Sequence, residues 1–97
     1  MNKHIIKPFA YQDALEAANY YNDKRDGLGG EFLLVLDAKI NAIQRNPKQF
    51  RLVHNNIRRA LTERFPYGVF FILENNVIYI LAILHTSRSP KTWEKRK

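Results

Sequence analysis

The spacing of hydrophobic and polar positions changes character twice along these 97 residues. His4-Ile5-Ile6-Lys7-Pro8-Phe9 reads as a short first strand. Pro8 has no amide hydrogen to donate, which places this strand at an edge or ends it. From Ala10 to about Arg25, apolar residues recur at three- and four-residue steps (Tyr11, Ala14, Leu15, Ala18, Tyr21), the stripe of an amphipathic helix. Asp26-Gly27 breaks it, with Gly27 suited to a left-handed cap. Leu28-Gly29-Gly30 reads as a tight connection into a second helix over about residues 31–45, with Phe32, Leu33, Leu36, Ile40 and Ile43 on its buried face. Asn46-Pro47 ends that helix, because the residue before a proline avoids helical torsions. Helices joined so closely pack as an antiparallel hairpin.

The remainder reads as sheet. Phe50 to Val53 extends briefly, and Ile57 to Arg64 forms a strand with mixed faces. Gly68 to Leu73 and Val77 to Leu84 are the strongest strands, joined through Glu74-Asn75-Asn76, since asparagine tolerates positive φ. Val77 to Leu84 is apolar without alternation, as in a central strand covered on both faces. The helical hairpin covers one face; the other needs a short C-terminal helix, a partner chain, or both. The pattern predicts one α+β domain over residues 1–97. It consists of an N-terminal strand and an antiparallel helical hairpin packed on a three- to four-stranded, mainly antiparallel sheet, with a basic tail over about residues 88–97.

Composition agrees with a folded globule: 45% of the residues are hydrophobic and 12% aromatic, unlike a disordered chain. There is no cysteine, which removes disulfides and thiolate metal ligation and is compatible with a reducing cytosol. The N-terminus lacks the apolar core of a signal peptide, and the longest apolar run is too short to span a bilayer. The expectation is a soluble cytoplasmic protein with no membrane partner.

Charge changes the picture more. Residues 1–42 carry five Lys/Arg against six Asp/Glu, and residues 43–97 carry eleven against three, so the net +7 arises entirely in the second half. A sheet edged with arginine, lysine and aromatic side chains suits a polyanion or an acidic protein. Arg58, Arg59 and Arg64 lie on or beside one predicted strand, and alternation puts Arg58 and Arg64 on one side and Arg59 on the other. Their guanidinium forks suit phosphate or carboxylate recognition; the plainer reading is a solvated face with local ion pairs to Glu63 or Glu74.

His85 follows the central strand directly. It has the chemistry of a general base near neutral pH, and equally that of a loop anchor; Thr86, Ser87 and Arg88 beside it balance the two. Tyr67 and Trp93 offer faces to nucleobases, with packing the favoured role for Trp93. Lys91, Lys95, Arg96 and Lys97 read as a mobile basic end that adds attraction and little geometry. No metal-ligand spacing, nucleophile elbow or paired-carboxylate arrangement is present, and no cofactor is implied. Any catalysis would run on Arg, Lys, His and aromatic residues, which suits metal-independent phosphodiester transfer in RNA.

Several segments, in order, resemble the RelE/ParE toxin superfamily of type II toxin–antitoxin systems, also called plasmid-stabilisation proteins. They are Ala14-Leu15-Glu16-Ala17 with Tyr20-Tyr21, Leu28-Gly29 with Glu31-Phe32, and Asn46-Pro47. The most specific are Ile57-Arg58-Arg59, Phe65-Pro66-Tyr67, and a strand ending in His85 with Arg88-x-Pro90, Trp93 and Arg96. The resemblance spans almost the whole chain. It implies a helical hairpin on an antiparallel sheet and a cognate antitoxin, expected to be acidic, in a toxin–antitoxin hetero-oligomer.

The resemblance also leaves two activities open. RelE-like members are ribosome-dependent ribonucleases that cut mRNA; ParE-like members bind DNA gyrase and block it without chemistry of their own. The ribonuclease branch places an arginine two residues past its last long strand and a tyrosine further on. Those places fall here on Ser87 and Trp93, with Arg88 one position later, while other ribonuclease members use a histidine that His85 matches. A ribonuclease would use His85, Arg88 and Arg64 for chemistry. Arg58, Arg59, Tyr67, Trp93, Lys91 and Arg96 would bind nucleic acid or another target. Arg58-Arg59 with Phe65-Pro66-Tyr67 resembles the ParE-like branch most, so a gyrase-type growth inhibitor is the preferred expectation. A ribonuclease and an inactive binding-only member are the alternatives.

Overall fold

A computed structural model describes residues 2–88 and 93–96. Its elements run β1 (Lys3–Ile6), α1 (Pro8–Lys24), α2 (Leu28–Arg45), a 3₁₀ turn (Pro47–Gln49), β2 (Arg51–His54), β3 (Ile57–Leu61), β4 (Tyr67–Glu74) and β5 (Val77–His85). The strands form one sheet of five, in the order β1-β5-β4-β3-β2: the four strands after the helices, as expected, with the N-terminal strand joining as the fifth. The sheet is mixed, because β1 runs parallel to β5 while every other neighbouring pair is antiparallel.

The strand predicted to reach Phe9 stops at Ile6, and Pro8 instead opens α1, where its fixed φ suits the first helical turn and its missing amide hydrogen is not needed. The buried face of α1 is Ala10, Ala14, Ala17 and Ala18. Small side chains let the helix lie close to the sheet, so the predicted stripe residues Tyr11 and Leu15 end up 59% and 46% exposed. On α2, Phe32, Leu36, Ile40 and Ile43 are buried as predicted, while Leu33 sits at the rim.

Gly27 takes the left-handed conformation, φ 85°, but it opens α2 rather than closing α1. Gly29 and Gly30 belong to that helix, where a connection was predicted. A Cβ on Gly29 would collide with the Ala18 carbonyl oxygen, and the Gly29 amide donates to Asn22 Oδ1 at 2.8 Å. Gly29 is a point of close approach between the helices.

The β4–β5 hairpin turns on Asn75 and Asn76, both at positive φ (52° and 65°), the pattern of a two-residue primed turn. Further along, Phe70 pairs with Ala82 and Phe71 with Ile80, leaving Leu81 as an inserted residue. This bulge sends Leu81 and Ala82 into the same cluster, which is how an apolar run without alternation serves both faces. One face, with Val69, Phe71, Ile80 and Ile83, packs under the helices. The other, with Ile57, Phe70, Ile72, Leu81 and Leu84, is closed by Trp93, whose ring stacks on Phe70 at 5.0 Å and 16°. No helix is long and apolar enough to cross a membrane among the described residues.

Candidate functional site

Two hollows lie on either side of α1. The first is a polar cleft of about 190 Å³ lined by Asp13, Glu16, Ala17 and Tyr20 of α1, Tyr67 of β4, Ile83, Leu84 and His85 of β5, and Arg88. It forms where β1 stops short. β1 pairs with β5 only as far as Ile80, so the far half of β5 lacks a strand neighbour on that side. Asp13 fills the gap by accepting the Ile83 amide hydrogen at 3.0 Å. The Arg96 guanidinium closes on the same carboxylate through both oxygens, one at 3.2 Å, and also lies over the Phe9 ring.

His85 and Arg88, both singled out in the sequence, share this cleft. The His85 ring meets the Tyr67 ring edge-on at 5.5 Å, and Tyr67 and His85 are register partners across β4 and β5. His85 Nδ1 receives the Ser87 amide hydrogen at 3.0 Å and lies 2.8 Å from the Ser87 hydroxyl oxygen. Partial burial, followed by the neighbouring Tyr21 hydroxyl, pushes the Tyr67 phenol above its ordinary value. Its hydroxyl therefore keeps its proton at neutral pH and can donate.

Arg64 is not part of this arrangement. β3 ends at Leu61, and Arg64 sits in a turn at φ 66°, so the predicted alternation of Arg58 with Arg64 does not exist. Its guanidinium pairs with Glu31 in the first turn of α2 at 3.0 Å and covers the Phe65 ring. That hydrogen bond, with the charges of Arg25 and Arg64, holds the Glu31 carboxyl below its usual value despite slight desolvation. Glu31, rather than Glu63 or Glu74, is the acid that engages this arginine.

The other predicted binding residues scatter. Arg58 donates to the Phe50 carbonyl at 2.7 Å and to Lys48 at 3.3 Å, clamping the loop before β2. Arg59 lies on the opposite face, facing Arg51 across the β2–β3 ladder, with its stem over Gly68. Trp93 is buried against Phe70 and beside His54, so its ring faces pack rather than wait for a base. Arg96, predicted to be mobile, is docked on Asp13 because the unpaired stretch of β5 puts a carboxylate within its reach. Lys91 lies outside the described residues. Asp13 went unpredicted, because its partners Ile83 and Arg96 lie 70 and 83 residues away in the chain; Glu16 and Tyr20 stood out only within the family resemblance, not as site residues. No three of His, Cys, Asp and Glu gather as metal ligands among the described residues.

The second hollow is an apolar groove of about 230 Å³ lined by Ile6, Tyr11, Ala14, Leu15, Leu33, Leu36, Ile40 and Ile83, with Asp37 as its one charged member. It explains the exposure of Tyr11 and Leu15.

The comparisons with known proteins agree with this architecture. The family model described as "ParE toxin of type II toxin-antitoxin system, parDE" matches residues 5–90. Among curated proteins there is no match. Among solved structures, a chain of the "Chromosomal ParDE TA system from P. aeruginosa" superposes with a TM-score of 0.79 at 17% identity, covering 88% of this chain and 96% of that one. That identity carries the fold alone; the family model, spanning most of the chain, carries membership. With its two helices on a mixed five-stranded sheet, the chain belongs to the ParE toxin family, the toxin component of type II toxin–antitoxin systems.

Proposed function

We propose that this toxin arrests growth by binding a protein target, DNA gyrase, without chemistry of its own, and that a cognate antitoxin silences it by filling the apolar groove. The observation that carries the binding-only reading is the dispersal of the residues a ribonuclease would need. His85 and Arg88 line the cleft, Arg64 is engaged by Glu31, and the Nδ1 lone pair of His85 is taken by Ser87. A phosphoryl-transfer site needs its charge-stabilising and proton-moving groups around one reacting atom.

The family implies an antitoxin partner, and the groove supports a place for it. Tyr11, Leu15 and Leu33 project there between the two helices and β5, a surface shaped for the apolar face of a partner helix. The basic second half adds long-range attraction for an acidic partner and a fast encounter.

A second reading keeps one supporting observation. His85, Arg88, Tyr67 and Tyr20 do lie around one cleft, the set from which an mRNA endoribonuclease would be built.

One experiment separates them: induce the chain alone, map cellular RNA 5′ ends, and measure plasmid supercoiling in parallel. Relaxed plasmid with unchanged RNA ends supports the gyrase reading. New ends within translated codons, lost on His85→Ala, overturn it in favour of the ribonuclease. Unimpeded growth removes both.

A further inference from the structure

We infer that the polar cleft reads a single carboxylate on the protein target, an aspartate or glutamate side chain, with His85 serving as a neutral hydrogen-bond donor beside the Arg88 guanidinium. This rests on the binding-only reading above and assigns its recognition chemistry.

The tautomer of His85 follows from its partner. A backbone amide can only donate, so the Ser87 amide at 3.0 Å requires a lone pair on Nδ1. The Ser87 hydroxyl oxygen lies 2.8 Å from the same nitrogen. A neutral imidazole has one bare nitrogen and one that carries hydrogen. With Nδ1 bare, the proton resides on Nε2. The ring therefore brings an N–H to the cleft it lines, and its basic nitrogen is already occupied.

The charge of the cleft decides what that N–H meets. Two carboxylates, Asp13 and Glu16, line it together with one arginine, Arg88. Asp13 is neutralised by Arg96 and Glu16 accepts from Gln12, so among the described residues Arg88 forms an ion pair with neither carboxylate of the cleft. A nucleic-acid backbone repeats its charge at every nucleotide and is held by a run of cations along a groove. This cleft has one cation beside a carboxylate, in a chain whose net charge is +7. A lone carboxylate fits instead: it accepts two forked hydrogen bonds from Arg88 and one from His85, with the protonated Tyr67 hydroxyl as a further donor.

Three variants at one position test this. His85→Gln keeps an N–H near the place of Nε2 but cannot take up a proton at neutral pH. His85→Asn keeps an acceptor for the Ser87 amide but loses the distal donor, and His85→Ala loses both. The readouts are the induction level that halts growth and inhibition of purified gyrase supercoiling plasmid DNA. The Asn and Ala variants should be weaker by about tenfold, the worth of one hydrogen bond to a charged group, and Gln should recover most of that loss.

Potency in the Gln variant as low as in the Ala variant would overturn the inference, as would an Ala variant as potent as the parent. New RNA 5′ ends that depend on His85, with supercoiling untouched, would instead sink the binding-only reading itself. Independently of toxicity, ¹⁵N spectra of the His85 ring should show Nδ1 as the bare nitrogen; a protonated Nδ1 in the neutral ring contradicts the assignment.

Discussion

The groove and the cleft share α1 as a common wall and Ile83 as a common floor residue, yet they are opposite in chemistry. Helical periodicity makes this division: Tyr11, Ala14 and Leu15 turn one way, Asp13, Glu16, Ala17 and Tyr20 the other. The groove offers apolar area, which drives association but discriminates weakly among partners of similar shape. The cleft offers few donors in fixed places, which discriminate strongly because a wrong partner leaves them unsatisfied. One helix thus presents a surface suited to tight neutralisation and another suited to selective target recognition. Each can be altered without rebuilding the other.

Removing the anchor of the tail should have the largest effect. Trp93 closes the second sheet face and leads to Arg96, which neutralises the Asp13 wall of the cleft. Trp93→Ala should lower unfolding stability by about 3–5 kcal/mol in urea titration. A loss below about 1 kcal/mol would mean the tail is no part of the folded core.

On the groove side, Leu15→Glu places a charge at the centre of the apolar surface. Antitoxin affinity should fall by about 30-fold or more by calorimetry, and growth arrest should persist despite co-expressed antitoxin. Unchanged affinity would move the antitoxin off this groove and break the proposed division.

Asp13→Asn is subtler, because the amide oxygen can still accept the Ile83 hydrogen while the charge opposing Arg96 is gone. The expected loss is about 1.5 kcal/mol, with β5 amide protection near Ile83 retained in hydrogen exchange. Loss of that protection would show that the charge, not the acceptor, holds the strand edge.

The smallest effect concerns Glu31, which belongs to neither hollow. Its folded-state value is lowered, so its contribution is present above the ordinary glutamate range and fades as pH falls through the lowered value. Between about pH 5 and pH 3 the parent should lose slightly more stability than Glu31→Gln. Equal slopes would mean that the exposed Arg64 pair contributes nothing measurable.

Both helices, the β4–β5 hairpin and its asparagine turn were legible from period and turn chemistry alone. The groove was half legible: Tyr11 and Leu15 stood out as apolar, but only the close approach of the alanine face showed that they project outward. His85 and Arg88 were singled out by position at a strand end. Arg64 misled, because a turn at positive φ looks like a strand continuation when only residue types are visible. Asp13 was invisible, since its importance comes from a strand that ends two residues before a helix begins and from an arginine near the far terminus.

By itself, then, the sequence determined which segments are helical or extended, where they turn, and that positive charge accumulates in the second half. These follow from local torsional preference and from residue counts. Tertiary structure alone decided that β1 joins β5 in parallel and stops at Ile80, leaving an amide for Asp13 and a hollow beside it. It also set the His85 proton on Nε2, through an amide two residues on whose direction depends on the fold of the turn. Such features arise from distances between groups remote in the chain, and residue pattern carries no record of those distances until the sheet has closed.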